Sequence, residues 1–488
     1  MTTRDAGGRA DLIIRGATLF DGTGASRRQA DVAVTGERVV AVGDLGAIAA
    51  DREIDAKGLA VAPGFIDVHT HDDKVVMSKP DMAPKASQGV TTVICGNCGF
   101  SLAPNAGKWG ASLIDRDDST RFATMHDYFH ALEVSPSAIN SAMLVGHSSL
   151  RSGAMDSLKR TASDAEIADM QAVLKESLQA GAIGMSSGLF YPEATHAETA
   201  EVAALAEVLG PFDAVYTAHM RDEGDHVLDA IDETAAIGGA GGVRTVISHH
   251  KCVGKANYGR SSETLARIAA LRERQNIFLD LYPYIASSTR LLPERAEVSE
   301  KVVITWSEAM PECGTRDLDE LCAEWGVDRE EAAARLQPAG AIYFSMHEDD
   351  VQRIMQFPAT MVGSDGIPDD DHPHPRLWGT FPRVLGHYAR DLGVLSLEEA
   401  VHRMSGLPAS VFGFADRGVV RAGAFADLVI FDPATVKDSA TFTDPKQPAA
   451  GIHLVMVNGE PVWAMGGSTG ARPGRALKLG DGAAGTQA

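Results

Sequence analysis

Over its first sixty residues the chain alternates apolar and polar positions in short runs: DLIIRGATLFDG, DVAVTGERVVAVG and REIDAKGLAVAPG. Period-two alternation broken by turn signals such as TGER and DAKG predicts a small antiparallel β structure. The same texture returns near the other end in GVVRAGAFADLVIFDP and GIHLVMVNGEPVWAM. Two β-rich ends around a long middle predict that the ends meet in one small β domain, spanning about 1–61 and 416–478.

The middle, 62–415, has a different rhythm. Short apolar runs alternate with amphipathic stretches. In SDAEIADMQAVLKESLQAGAIGMSSG, Ser163 and Glu166 form a capping-box pattern, Ile167, Met170, Val173, Leu174 and Leu178 recur at helical spacing, and Gly181 stops the helix before a buried strand, AIGMSS. GFIDVHTH, VTTVICG, INSAMLVGH, AVYTAHM, RTVISHH, IFLDLYPY and TMVGSDG are further strand candidates. About eight βα repeats predict an α/β fold, a TIM-like (β/α)8 barrel. A doubly wound sheet is the competing fold, but no G-x-G-x-x-G follows the first strand. Residues from about 287 to 340 break the rhythm and read as an inserted segment, a lid over the barrel mouth. The tail from 479 to 488, ending GDGAAGTQA, reads as disordered.

Composition narrows the partners. The 66 acidic and 44 basic residues give a formal net charge of −22. That argues against nucleic acid or an anionic membrane, both of which attract basic surfaces. No apolar run is long enough to span a bilayer, and the start lacks an apolar secretory region. Five cysteines are too few for a disulfide framework, so the expected compartment is the reducing cytoplasm. The expected partner is a small soluble molecule. Nothing sets the oligomeric state; a monomer is the default.

Chemistry enters where the strand candidates end. His69 and His71, Cys98, His147, His219, the run His249-His250-Lys251, and Asp365 all fall at such ends. A barrel gathers the carboxyl ends of its strands at one mouth, so these distant residues are expected to converge. His69 and His71 are i and i+2 on an extended chain and share a face, from which both imidazoles can reach one metal. Alone, H-x-H is often two surface histidines. VTTVICGNCGFSLAP places Cys95 and Cys98 three residues apart, which suits half a zinc knuckle, a redox pair, packing residues or ligands of a more specific site.

PGFIDVHTHDD, the later lone histidines, GSDG and the terminal AGAFADLVIFD resemble the amidohydrolase superfamily. Many of its members bridge two metals with a carbamylated lysine on the fourth strand, and AIGMSSG offers none. GNCG, AHMRDEG, VISHHK, AGAIYF, VGSDGIP and HPHPRLWGTFPRVLGHY resemble the N-acyl-D-amino-acid deacylases, over nearly the whole chain. The resemblance implies a cysteine, here Cys98, in place of that lysine. It implies one tight zinc (Zn2+) site at Cys98, His219 and His249, a second, weaker site at His69 and His71, and Asp365 beside both as proton shuttle. Cys95 is then a packing residue and His250 a structural neighbour. Arg353 and Lys251 are implied to hold the substrate carboxylate, with Tyr191, Tyr282 and Tyr343 shaping the pocket. For Arg353 the plainer reading is an exposed helix charge, and for the tyrosines it is core packing.

The implied reaction is zinc-dependent hydrolysis of N-acyl-D-amino acids, with apolar side chains such as D-Met, D-Leu or D-Phe favoured because no side-chain cation is assignable from sequence. N-acyl-D-glutamate or N-acyl-D-aspartate deacylases are the nearest rivals, then cyclic amidases and isoaspartyl dipeptidases. A non-enzymatic metal-binding protein would have no use for Asp365.

Overall fold

The computed structural model describes residues 9–46, 48–105 and 120–481. Eight strands run parallel in sequence order: Phe65–Asp67, Val90–Cys95, Asn140–Gly146, Gly184–Gly188, Val215–His219, Arg244–Ile247, Ile277–Leu281 and Thr360–Val362. A single parallel bridge, Thr70 to Gly366, joins the last strand to the first and closes the barrel. The strands are almost wholly buried because alternate residues face two cores. Ile66, Ile94, Leu144, Val215, Val246 and Met361 fill the interior, while Val93, Met143, Met185, Tyr216 and Leu279 face the surrounding helices.

The helix predicted after Ser163 spans Asp164–Ala180, with both arms of the capping box formed and Gly181 left-handed at its end. Met170, Leu174 and Leu178 are buried, whereas Val173 is exposed on the opposite side. The two chain ends meet where Ala60–Pro63 pairs antiparallel with Leu428–Phe431. Alternate residues of this second sheet, Leu12, Ile14, Val32, Val34, Val61 and Leu428, make a separate apolar core. The last short strand, Ala476–Leu477, leaves that sheet and pairs with Asn140–Gly146 of the barrel, because Leu477 is buried with Ile183 and Phe412 at the barrel's far end.

The inserted segment is a folded unit. Ala286–Arg290, Ala339–Phe344 and Lys301–Ser307 form a three-stranded antiparallel sheet. With three short helices it encloses its own core around Leu291, Ile304, Leu321 and Tyr343. No described helix is long and apolar enough to cross a membrane. The tail expected to be disordered lies, from 482 onward, outside the described residues.

Candidate metal centre and its surroundings

The loop after the second strand carries Cys98 into the mouth in a left-handed conformation, φ 55°. It approaches the end of the fourth strand so closely that a Cβ on Gly188 would lie 2.1 Å from the Cys98 carbonyl oxygen. Only glycine admits this approach. His249 and Asp365 are also left-handed, at φ 35° and 49°. Strained backbone at three converging residues is held by the surrounding fold, and such strain gathers at working sites.

The Cys98 Sγ lies 3.6 Å from His219 Nδ1, 3.5 Å from His249 Nε2 and 3.2 Å from His69 Nε2. Zinc–sulfur and zinc–nitrogen bonds of ordinary length at a tetrahedral angle place S and N about 3.6 Å apart, so the separations of the thiolate from His219 and His249 suit a shared zinc ion. Asp365 Oδ1 lies 3.1 Å from His71 Nε2 and 3.5 Å from His69 Nε2. The metal-capable atoms thus fall into two groups sharing Cys98: Cys98 with His219 and His249, and Cys98 with His69, His71 and Asp365.

Electrostatics suits a cation. Burial alone would push the Cys98 thiol up, but His69 and His249 and the bonds from His219 and His249 hold it well below the ordinary thiol range. A thiolate is the form that binds metal. Burial likewise opposes charge on Asp365, yet Arg376, His69 and His249 hold it well below the usual carboxylate range. Burial brings His219 down to about 4, into the neutral form that binds metal.

Behind the histidines lies a ring that sequence reasoning missed. Glu223 is buried 3.1 Å from His249 Nδ1 and 3.9 Å from His219 Nε2, facing the ring nitrogen each turns away from Cys98. Such a carboxylate fixes ring orientation and raises ligand basicity. Glu223 also accepts from Lys251 and, at 2.6 Å, from Arg295 of the inserted unit. Asp280, at the end of the seventh strand, lies 3.4 Å from His69 Nδ1 and accepts from the His249 amide. Both were visible as strand-end acids in AHMRDEG and LDLYPY, but neither spacing showed which histidine they back. Replacing Glu223 with alanine leaves Lys251 and Arg295 buried without their carboxylate. The expected loss is about 3–5 kcal/mol of stability, read by urea unfolding. Zinc affinity is expected to fall about 10- to 100-fold, read by competition with a chelator.

The remaining expectations divide. Lys251 Nζ lies 2.7 Å from His249 Nδ1, and Tyr282 is at the mouth with its hydroxyl buried and without a partner among the described residues. The Tyr191 ring lies 4.8 Å from that of His219, its hydroxyl 3.2 Å from Thr289. Tyr343 is not in the pocket. Its hydroxyl donates to Arg290 O and accepts from Leu292 N inside the inserted unit's core, which explains its burial. Arg353 is also elsewhere. It stands on the helix Glu348–Gln356, where its guanidinium donates to buried Asp350 at 2.9 Å and to Ser261. The arginine at the mouth is Arg376, fully buried, 2.9 Å from Asp365 Oδ2 and stacked 4.4 Å from the Tyr282 ring centroid. It lies in HPHPRLWG, past the last strand, where no strand end marks it. Cys95 packs behind the mouth near Thr70. His147 pairs with Glu201 and His250 with Thr264, both away from the cluster.

An α/β barrel with a thiolate and histidines at its mouth defines a class, and the Amidohydrolase family model matches residues 52–217 and 210–463. The chain belongs to that family. It is similar to the D-aminoacylase of Alcaligenes xylosoxydans xylosoxydans, 52% identical over 470 residues, 96% of this chain and 97% of that one. A solved D-aminoacylase, studied for its binuclear metal center with one-metal activation and second-metal attenuation, aligns at TM-score 0.94 and 53% identity, covering 96% of this chain and all (100%) of that one. The N-acyl-D-glutamate deacylase of Bordetella bronchiseptica, complexed with zinc and a phosphonate mimic of the tetrahedral intermediate, aligns at 0.93 and 48% identity, with coverage of 96% and 100%.

Proposed function

We propose that this protein is a zinc-dependent N-acyl-D-amino-acid deacylase, releasing a carboxylate and the free D-amino acid. The observation that carries it is Cys98 set between two imidazoles at tetrahedral spacing, with Asp365 beside it. Its similarity to D-aminoacylase and to a zinc-bound deacylase supports the same reading. Cys98, His219 and His249 would hold the tighter zinc, and His69 and His71 the weaker one. Bound there, zinc supplies an activated water and polarises the acyl carbonyl.

The chain's own groups do the rest. Arg376 occupies Oδ2 of Asp365 and leaves Oδ1 facing the histidines. Oδ1 accepts the attacking water's proton and returns it to the departing nitrogen. Arg376 and Lys251 are buried cations 4.4 and 5.7 Å from the Tyr282 ring centroid. Together they suit the substrate's carboxylate, the task expected of Arg353. Fixed places for carboxylate, carbonyl and side chain reject the mirror image, whose side chain clashes or whose carboxylate goes unpaired. Five free thiols suit a reducing compartment, the cytoplasm.

For the side chain, the apolar preference rests on Phe190 and Tyr191, which line the approach to His219. One observation favours a second reading, an acidic side chain: the buried guanidinium of Arg295 lies 4.8 Å from the Phe190 ring centroid. The deciding assay offers racemic N-acetyl-methionine and racemic N-acetyl-glutamate in parallel and resolves the products by enantiomer. D-methionine as the main product is the expected result. D-glutamate as the main product moves the preference to the acidic reading, and L-products or no release would overturn the deacylase assignment.

A further inference from the structure

The seam between the first and eighth strands is the weakest join in the barrel. Both strands have three residues, and one bridge connects them. Yet this seam sets the separation of His69 and His71, on one side, from Asp365 on the other. A single bridge does not hold side chains to the tolerance catalysis needs, where a 1 Å error costs about a hundredfold.

Lys85 spans the seam. It is fully buried, in the turn Ala83–Ala86, which leaves Met82 in a left-handed conformation at φ 45°. Its Nζ donates to Asp67 Oδ2 at 2.8 Å and to Ser364 Oγ at 2.7 Å, and lies 3.2 Å from Asp72 Oδ2. Asp67 and Asp72 flank the two histidines in sequence, and Ser364 precedes Asp365. The other oxygen of Asp67, Oδ1, accepts from the Ser364 amide at 2.8 Å and the His69 amide at 3.4 Å. Ser364 Oγ in turn accepts from the Gly366 amide at 3.2 Å.

From these contacts we infer that Lys85 is a positioning residue, an ionic clasp that closes the first-to-eighth seam and sets Asp365 against His69 and His71. A buried ammonium costs folding energy, and two acceptors from two strand ends, with a second carboxylate 3.2 Å away, make it specific where an apolar residue would hold neither. Lys85 touches no reacting atom. It acts through Asp67, Asp72 and Ser364, and its effect on turnover rests on the role proposed for Asp365.

Two variants test it: Lys85→Met, and Ser364→Ala, which keeps every charge and decides the matter if Lys85→Met fails to fold. Hydrogen exchange read by mass spectrometry is expected to rise in peptides covering 65–73 and 360–367 and to stay unchanged in the helices and the terminal β sheet. Zinc content is expected to match that of the parent. On N-acetyl-D-methionine, kcat is expected to fall at least about tenfold, the outcome of a sub-ångström displacement, while KM stays within about threefold. Exchange rising throughout the molecule would make Lys85 a general stabiliser and overturn the inference. So would unchanged exchange at both segments, or unchanged kcat in a folded variant. Because exchange needs no substrate, a parent protein inactive on N-acyl-D-amino acids would sink the proposed function and leave the clasp to be judged on exchange alone.

Discussion

Asp365→Asn will fold, keep its zinc and lose turnover by about 10²- to 10⁴-fold, the usual worth of a positioned general acid–base. Asparagine preserves the shape of the side chain beside the Arg376 guanidinium, 2.9 Å from Oδ2, where alanine would open a gap. What it removes is the basicity at Oδ1, the atom 3.1 Å from His71 Nε2. The measurement pairs kcat on N-acetyl-D-methionine with zinc content. Zinc retained and turnover lost is the expected pattern. Full turnover would mean the proton moves through another group and would remove Asp365 from the mechanism.

Cys98→Ser gives the second large effect, with a different signature. A serine hydroxyl fits the same strained backbone but brings no thiolate. The group with His219 and His249 then loses its anionic donor, and the group with His69, His71 and Asp365 loses the atom the two share. Zinc affinity is expected to fall by more than about 10²-fold, since even partners behind the ligands are worth 10- to 100-fold, and activity is expected to go with it. Zinc titration followed by assay reads both. Chelation of the parent should reproduce the loss, and added zinc should reverse it. A Cys98→Ser protein that held zinc and turned over normally would place the metal on other donors.

The two substitutions separate binding from chemistry. Asp365→Asn keeps the ion and loses the reaction. Cys98→Ser loses both. A metal-storage protein would respond to the second and not to the first.

How much of this was legible beforehand follows from how local each signal is. Strand ends were legible because buried parallel strands are short apolar runs closed by turn residues, and a ligand-type residue just past such a run stands out. His69, His71, Cys98, His219, His249 and Asp365 were all found that way, and the structure brings them to one mouth. The Ser163 capping box was legible because its partners are three residues apart. Arg353 and Tyr343 misled because resemblance to a motif places a residue in sequence and leaves its side-chain direction open. One faces out from a helix and the other is buried in the inserted unit.

The partners within the ring around the site were not legible, though its acids were visible at strand ends. Glu223 backs two histidines from different strands, Arg376 reaches Asp365 from a helix beyond the eighth strand, and Lys85 joins Asp67 to Ser364, 297 positions apart. A buried charge is tolerable only where the fold supplies its partner, and no periodicity announces where that will be.

What the sequence by itself determined is therefore the βα rhythm, the short terminal strands and the set of groups able to bind a metal, since each is written in neighbouring residues. Only the tertiary structure decided which arginine faces Asp365, which carboxylate orients the histidines, how far the inserted unit enters the mouth with Arg295, and what closes the barrel seam. Those depend on distances between residues far apart in the chain, and only packing sets them.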